Sequence, residues 1–403
     1  MKTELLAPAG NREKLETALY YGADAVYLAG KAFGLRAFCD NFTDSQLADA
    51  VAYCHARGKK VYVTLNIYAF DDDLHPIKEY ARFLAKAGAD GVIVSDPGVI
   101  ACVRECVPEL AVHLSTQANT TNGAAARFWA KQGVSRIVLA REVSIENIKR
   151  IRDALPDEVE IEAFAHGAMC VAYSGRCLLS AVTTGRSGNR GECAQSCRWE
   201  YALTEKTREG EYFPVSEDGR GTYILNSKDL NMLPYLDKLI EAGVTSLKIE
   251  GRAKTTYYLA TVVNAYRRAL DLYERDPARY ALPAALAEEP YKTSHRSFHT
   301  GFYFGNAEQY LRSAKPEQTH EMCAVVRGNR NGVAQIEQRN RFATGDTLEA
   351  VSPASVFGAT FTVPVLRDGE GNEVTDAKNV QQILYMPTDL PLAAGDILRR
   401  KTS

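Results

Sequence analysis

The chain has 403 residues, 46% hydrophobic and 24% charged, the balance of a soluble globular protein of two to three domains. Its 48 basic and 50 acidic residues leave a formal charge of −2, which excludes a wholly basic nucleic-acid binder but not a local basic patch. Collagen-like, coiled-coil and disordered classes fail on the same composition.

The opening stretch, Met1 to Glu16, holds no apolar segment of signal-peptide length, and no run approaches the roughly 18 apolar residues that span a bilayer. The expectation is a cytoplasmic protein with no membrane segment. Nine cysteines, an odd number, make a poor disulfide framework in that compartment.

One unit recurs along the first 250 residues. Gly22-Ala-Asp-Ala-Val-Tyr-Leu, Gly88-Ala-Asp-Gly-Val-Ile-Val, Gly133-Val-Ser-Arg-Ile-Val-Leu and Gly243-Val-Thr-Ser-Leu-Lys-Ile share a grammar, and Gly58-Lys-Lys-Val-Tyr-Val-Thr-Leu is a looser copy. An amphipathic helix precedes each glycine, the glycine suits a left-handed helix end, and a short β-branched run follows. Thr43 with Gln46 reads as a capping box, and Pro76 as the first turn of the helix that carries Ile77, Tyr80, Ala81 and Leu84.

Eight strands are expected, near Leu5–Ala7, Ala25–Ala29, Val61–Leu65, Gly91–Ser95, Val112–Ser115, Arg136–Ala140, Val159–Phe164 and Ser246–Ile249. Their runs are apolar rather than alternating, as in parallel strands covered on both faces. The pattern predicts an α/β fold, a (β/α)8 TIM-like barrel over 1–290, with a doubly wound sheet as the alternative. A Cys-rich insertion at 167–242 separates strands 7 and 8. After an acidic linker, Asp276 to Pro290, the short strand-like pieces of 291–403 predict a small C-terminal β-barrel domain.

Cys54, Cys102 and Cys106 lie on apolar helix stripes, and Cys323 lies in a strand pattern; these four read as core. Cys39 sits in the loop after the second strand. Cys170, Cys177, Cys193 and Cys197 fall within 28 residues of the insertion, in a non-periodic setting. Four thiolates suit a tetrahedral zinc or a [4Fe–4S] cluster, and the lack of C-x2-C pairs favours iron–sulfur.

With that motif in view, His166-Gly-Ala-Met-Cys-Val-Ala-Tyr-Ser-Gly-Arg-Cys177 resembles the signature of peptidase family U32, the collagenase-like proteases. Leu6-Ala-Pro-Ala-Gly10, Ser246-Leu-Lys-Ile-Glu-Gly-Arg252 and Thr300-Gly-Phe-Tyr-Phe-Gly305 are similar to further family elements, so the likeness spans nearly the whole chain. The branch it most resembles is required for 5-hydroxylation of the wobble uridine of tRNA. That resemblance implies an iron–sulfur cluster on Cys170, Cys177, Cys193 and Cys197, with Cys39 as a substitute for Cys197, and prephenate as co-substrate.

A dicarboxylate such as prephenate calls for guanidinium groups at the barrel mouth, and Arg36, Arg141 and Arg252 all follow predicted strands. Asn66 and Gln117 join them as substrate-binding candidates. His166 and Glu250 are the catalytic candidates. Between Arg176 and Arg208 six basic residues face three acidic ones, a net of +3, and Arg186, Arg190 and Arg198 are candidate RNA contacts. Tyr173, Trp199 and Tyr201 could stack bases.

Two other readings stand beside the hydroxylation enzyme. A peptidase would use His166 with a carboxylate, although the chain has neither a G-x-S-x-G elbow nor H-E-x-x-H. A non-catalytic RNA-binding or cluster-carrying accessory would dock RNA on the C-terminal domain, which ends in Arg399-Arg-Lys401. A homo-oligomer is compatible with all three.

Overall fold

The eight apolar runs become eight parallel strands: β1 (Glu4–Pro8), β2 (Ala25–Leu28), β3 (Lys60–Thr64), β4 (Gly91–Val94), β5 (Val112–Leu114), β6 (Arg136–Val138), β7 (Glu160–Ala168) and, later in the chain, β11 (Ser246–Ile249). This is a computed structural model, and it describes residues 2–34, 41–170, 174, 176–177, 179–186, 192–199, 216–218, 221–223, 227–305 and 316–402. β11 pairs in parallel with both β7 and β1, with Ser246 opposite Glu162 on one side and Glu4 on the other, so the sheet closes into a barrel.

Helices α1 (Arg12–Tyr20), α2 (Asp44–His55), α3 (Asp71–Lys86), α4 (Pro97–Cys106), α5 (Gly123–Lys131) and α6 (Ile145–Ala154) alternate with the first seven strands. Each repeat glycine takes the left-handed conformation its place demands: Gly22, Gly58, Gly88, Gly133 and Gly243 have φ between 65 and 102°. The Thr43–Gln46 capping box forms in full. Pro76 departs from expectation. α3 begins five residues earlier, where Asp71, Asp72 and Asp73 meet the positive helix end, and the proline lies inside the helix.

The excursion after β7 holds α7 (Leu179–Thr184) and a hairpin, β8 (Ser216–Asp218) with β9 (Gly221–Tyr223). The chain returns as β10 (Asp229–Asn231), antiparallel to the outer end of β7, then runs through α8 (Leu236–Glu241) to β11 and the long α9 (Thr256–Arg275). β12 (Phe298–His299) adds to β10. β7 is long because its last residues, His166 to Ala168, rise past the barrel to meet β10.

The C-terminal unit is an antiparallel half-barrel of eight strands with its own apolar core around Cys323, Ile336, Leu348, Leu384 and Leu398. Its first strand begins at His320. Residues 298–305, which the expected boundary at 290 assigns to this unit, belong instead to the barrel mouth: Tyr303 is buried there and donates to the Phe164 carbonyl at 2.6 Å. Arg399 is fully buried between Glu289 and Glu349, and Arg400 is held by Glu321 and Asp346. Two of the three terminal cations are therefore engaged in internal ion pairs.

No described helix is long and apolar enough to cross a membrane.

Candidate functional site

The barrel interior is polar at its base. Arg136 crosses the barrel to reach Glu4 at 2.6 Å, Glu160 at 2.6 Å and Glu162 at 3.2 Å, while Lys248 donates to the other Glu162 oxygen at 2.5 Å. The His113 ring packs on Tyr62 with centroids 4.5 Å apart, and burial drives its proton affinity well below that of a free imidazole.

One layer higher the character changes. The Lys248 ammonium lies 4.5 Å from the Tyr27 ring centroid and 5.6 Å from that of Phe164. The Arg141 guanidinium covers Phe164 at 4.0 Å. The Tyr27 hydroxyl meets the Glu250 carboxylate at 3.3 Å. Across the mouth, Asn66 Nδ2 donates to Ser115 Oγ at 3.4 Å, and the Gln117 N–H donates to the same oxygen at 3.3 Å. Asn66 Oδ1, Gln117 Oε1, Thr64 Oγ1 and Arg141 Nε are enclosed and meet no hydrogen-bonding partner among the described residues.

Arg252 is buried, with its Nη2 on Asn41 Oδ1 at 2.5 Å and its carbonyl accepting Lys14 Nζ at 3.2 Å. Asn41 also lines a rim cavity of about 580 Å³ together with Gly10, Asn11, Arg12, Lys31 and Gln46. Gly10 is obligatory here, because a Cβ would sit 2.8 Å from the Arg252 carbonyl oxygen. Arg36 and Cys39 lie outside the described residues.

His166 and Glu250 are backbone neighbours, the Glu250 N–H donating to the His166 carbonyl at 2.8 Å, yet their side chains diverge. The His166 ring is enclosed by Tyr258, Tyr266 and Phe298, with its Nδ1 3.5 Å from the Tyr266 hydroxyl. Burial pushes its pKa down to about 3, against the pull of nearby Asp229. It is neutral at physiological pH and far less basic than a free imidazole.

The cysteine excursion is tied to the mouth. Ser174, buried between Cys170 and Cys177, gives its N–H and hydroxyl to the Glu142 carboxylate at 3.1 and 3.2 Å and lies 3.4 Å from Thr116 Oγ1. Cys170 follows Met169, which is buried close to Gly301 in the turn that carries Tyr303. The second pair is braced on α7: Ser180 Oγ accepts the Ala194 N–H at 3.0 Å and donates to the Arg186 carbonyl at 2.7 Å, and Thr183 meets Ser196 at 2.9 Å. Cys193 Sγ accepts the Gln195 N–H at 3.4 Å.

Cys170 and Cys193 are exposed, and Cys177 and Cys197 are half-buried. Among the described residues no three His, Cys, Asp or Glu side chains converge as a metal site. Of the candidate RNA contacts, Arg186 is half-buried, Arg190 lies outside the described residues, and the Arg198 side chain does too. Trp199 is exposed, while Tyr173 and Tyr201 are not described. Tyr235 and Phe304 form an exposed edge-to-face pair with centroids 5.0 Å apart.

Sequence reasoning passed over Lys248, Glu162, Tyr27, Phe164 and Ser174. For Lys248 and Glu162 a signal existed: a charged residue within a short apolar parallel strand has to face either a partner or a ligand.

The model of peptidase family U32 matches residues 10–313, and that of the peptidase family U32 C-terminal domain matches residues 318–399. The chain belongs to this family. It is 38% identical to "tRNA hydroxylation protein P1" of Bacillus subtilis strain 168, over 99% of this chain and 95% of that protein. It is 34% identical to "tRNA hydroxylation protein P" of Escherichia coli K12, over 99% and 97%. A "Collagenase" of Porphyromonas gingivalis is 31% identical, over 87% of each chain.

Proposed function

We propose that this member of peptidase family U32 hydroxylates C5 of the wobble uridine of tRNA, with prephenate as a required co-substrate and a [4Fe–4S] cluster held by Cys170, Cys177, Cys193 and Cys197. The near end-to-end match to relatives named tRNA hydroxylation proteins carries this reading.

The chemistry of the donor set fits the cluster. Cys54, Cys102 and Cys323 are buried and Cys106 half-buried on core helices and strands, whereas the four candidate ligands share one excursion beside the mouth. The Gln195 N–H on Cys193 is the kind of backbone donor that stabilises a thiolate. Such a cluster would supply one-electron chemistry when bound. Arg141 over Phe164 offers a guanidinium to a carboxylate-bearing ring. Exposed Trp199 and the Tyr235–Phe304 pair offer stacking surfaces for unpaired bases.

The peptidase alternative, favoured by the collagenase likeness, needs His166 as a base. A ring enclosed by three aromatic residues and protonating only near pH 3 serves poorly in that role.

The test is mass spectrometry of tRNA nucleosides from a strain lacking the protein. Loss of 5-hydroxyuridine derivatives, restored by the wild-type chain but not by Cys170→Ala, is expected. Unchanged levels overturn the proposal. Protein purified anaerobically should carry about four irons per chain, the content of one [4Fe–4S] cluster.

A further inference from the structure

The polar atoms left over at the barrel mouth differ in kind from one side to the other. On the side that follows β3 and β5, two are amide acceptors, Asn66 Oδ1 and Gln117 Oε1, beside the Thr64 hydroxyl, which can donate or accept. Tyr62 and Thr64 share a face of β3 and Asn66 follows just beyond its end, while Ser115 leaves β5 and caps a short 3-10 turn that carries Gln117. The inner residues Tyr62 and His113 pack on one another, so Asn66 and Ser115 stand above them on the same face.

Ser115 Oγ accepts the Gln117 N–H and the Asn66 carboxamide nitrogen, which turns the Asn66 carboxamide oxygen away from that contact. Ser95 Oγ, 3.4 Å from the Asn66 carbonyl, fixes the backbone there. Asn66 is only 7% exposed, and its Oδ1, like Gln117 Oε1, is enclosed with no donor among the described residues. A buried acceptor without a donor is destabilising, and a ligand that brings N–H groups would account for two such atoms on residues that meet at Ser115.

That requirement separates the two substrates of the proposed reaction. An ionised carboxylate has only acceptor oxygens, so it cannot satisfy Asn66 Oδ1 or Gln117 Oε1. It suits the neighbouring β6–β7 side, where the unmatched atom is a donor, Arg141 Nε, on a guanidinium stacked over Phe164. A uracil ring carries an N3–H donor between two carbonyls. Cytosine presents a bare acceptor at N3, which an amide oxygen repels.

We propose that Asn66 and Gln117 form a subsite that recognises the N3–H edge of the target uracil, and that the Arg141–Phe164 side is left to the carboxylate co-substrate. The inference rests on the tRNA hydroxylation reading and assigns the two amides to the nucleobase rather than to the dicarboxylate. They act as specificity determinants.

The experiment offers the full-length protein, loaded anaerobically with its iron, two anticodon stem–loop RNAs that differ only in U or C at the wobble position, and measures binding of each and hydroxylation. The wild-type chain should prefer U. Asn66→Ala and Gln117→Leu should each cut that preference about tenfold or more, the discrimination typical of a base-edge hydrogen bond. Gln117→Glu, which keeps an acceptor at that place, should retain the preference, and Arg141→Lys should retain it while raising the prephenate concentration needed.

If Asn66→Ala and Gln117→Leu are folded by circular dichroism and keep the wild-type U-over-C ratio, the inference is overturned while the hydroxylation reading stands. Should the wild-type chain hydroxylate neither RNA, both fall together.

Discussion

The base and the mouth of one barrel handle polar groups in opposite ways. At the base, Arg136 meets three carboxylates and Lys248 meets a fourth contact on Glu162, so every buried charge there has an opposite. At the mouth, Asn66, Gln117, Thr64 and Arg141 each hold an enclosed atom with no counterpart among the described residues. The same scaffold pairs its charges internally at one end, where the neutral His113 still keeps an unmatched Nδ1, and leaves several hydrogen bonds unmet at the other. Charge pairing marks the end that stabilises, and mismatch marks the end that binds.

The sharpest way to break this contrast is at the base. Arg136→Ala should lower stability by about 3–5 kcal/mol, because it leaves Glu4 without its cation and fully buried Glu162 with Lys248 alone. A urea unfolding midpoint reads the loss. A barrel that tolerated the change would show that the base is not held by its charges.

Next in size is the pH dependence set by His166. The folded pKa of about 3 lies below the ordinary 6.5, so between those values the unfolded chain binds a proton that the native chain refuses. Stability should therefore fall as pH drops below about 6.5, by about 1.4 kcal/mol per unit for that one proton. His166→Gln should flatten the difference curve between pH 6 and 4.

Ser174→Ala should act more locally. Removing a hydroxyl donor to the Glu142 carboxylate takes away about 1.5–3 kcal/mol of loop anchoring. The readouts are faster limited proteolysis within the cysteine excursion and reduced iron retention, with the global unfolding midpoint little changed. Smallest in stability is Arg141→Ala, expected to cost about 0.5–1 kcal/mol, the worth of its stacking on Phe164, since its enclosed Nε has no hydrogen-bond partner to lose among the described residues. Its hydroxylation rate at limiting prephenate should nonetheless drop. A large stability loss would erase the distinction between the two ends.

Much of the barrel was legible because its punctuation is physical. Glycine at five helix ends and apolar runs after them leave little choice of element or order. The polar interior was not, because strands buried on both faces lose the alternation that separates inside from outside. Arg136, His113 and Lys248 are hidden in runs that read as core. The return strand at Asp229–Asn231 escaped for a different reason: it pairs with the backbone of β7 beyond the barrel and needs no apolar run. At the site, the arginines and amides were found from their places after strands. Their division of labour needed the hydrogen bonds of Ser115 and the ring of Phe164.

The seam between β1 and β11 has a consequence in time. Glu4 and Ser246, bonded at 2.8 Å, are 242 residues apart. At translation rates of 5–20 residues per second, β1 waits roughly 12–50 s for the partner that closes it. Until then the nascent chain is an open seven-stranded sheet with a bare edge on β1 and another on β7, the condition that invites edge-to-edge association. A chain stalled between the end of β7 and residue 246 would carry seven strands and no closing partner, so the safety of making this protein depends on how quickly its eighth strand emerges.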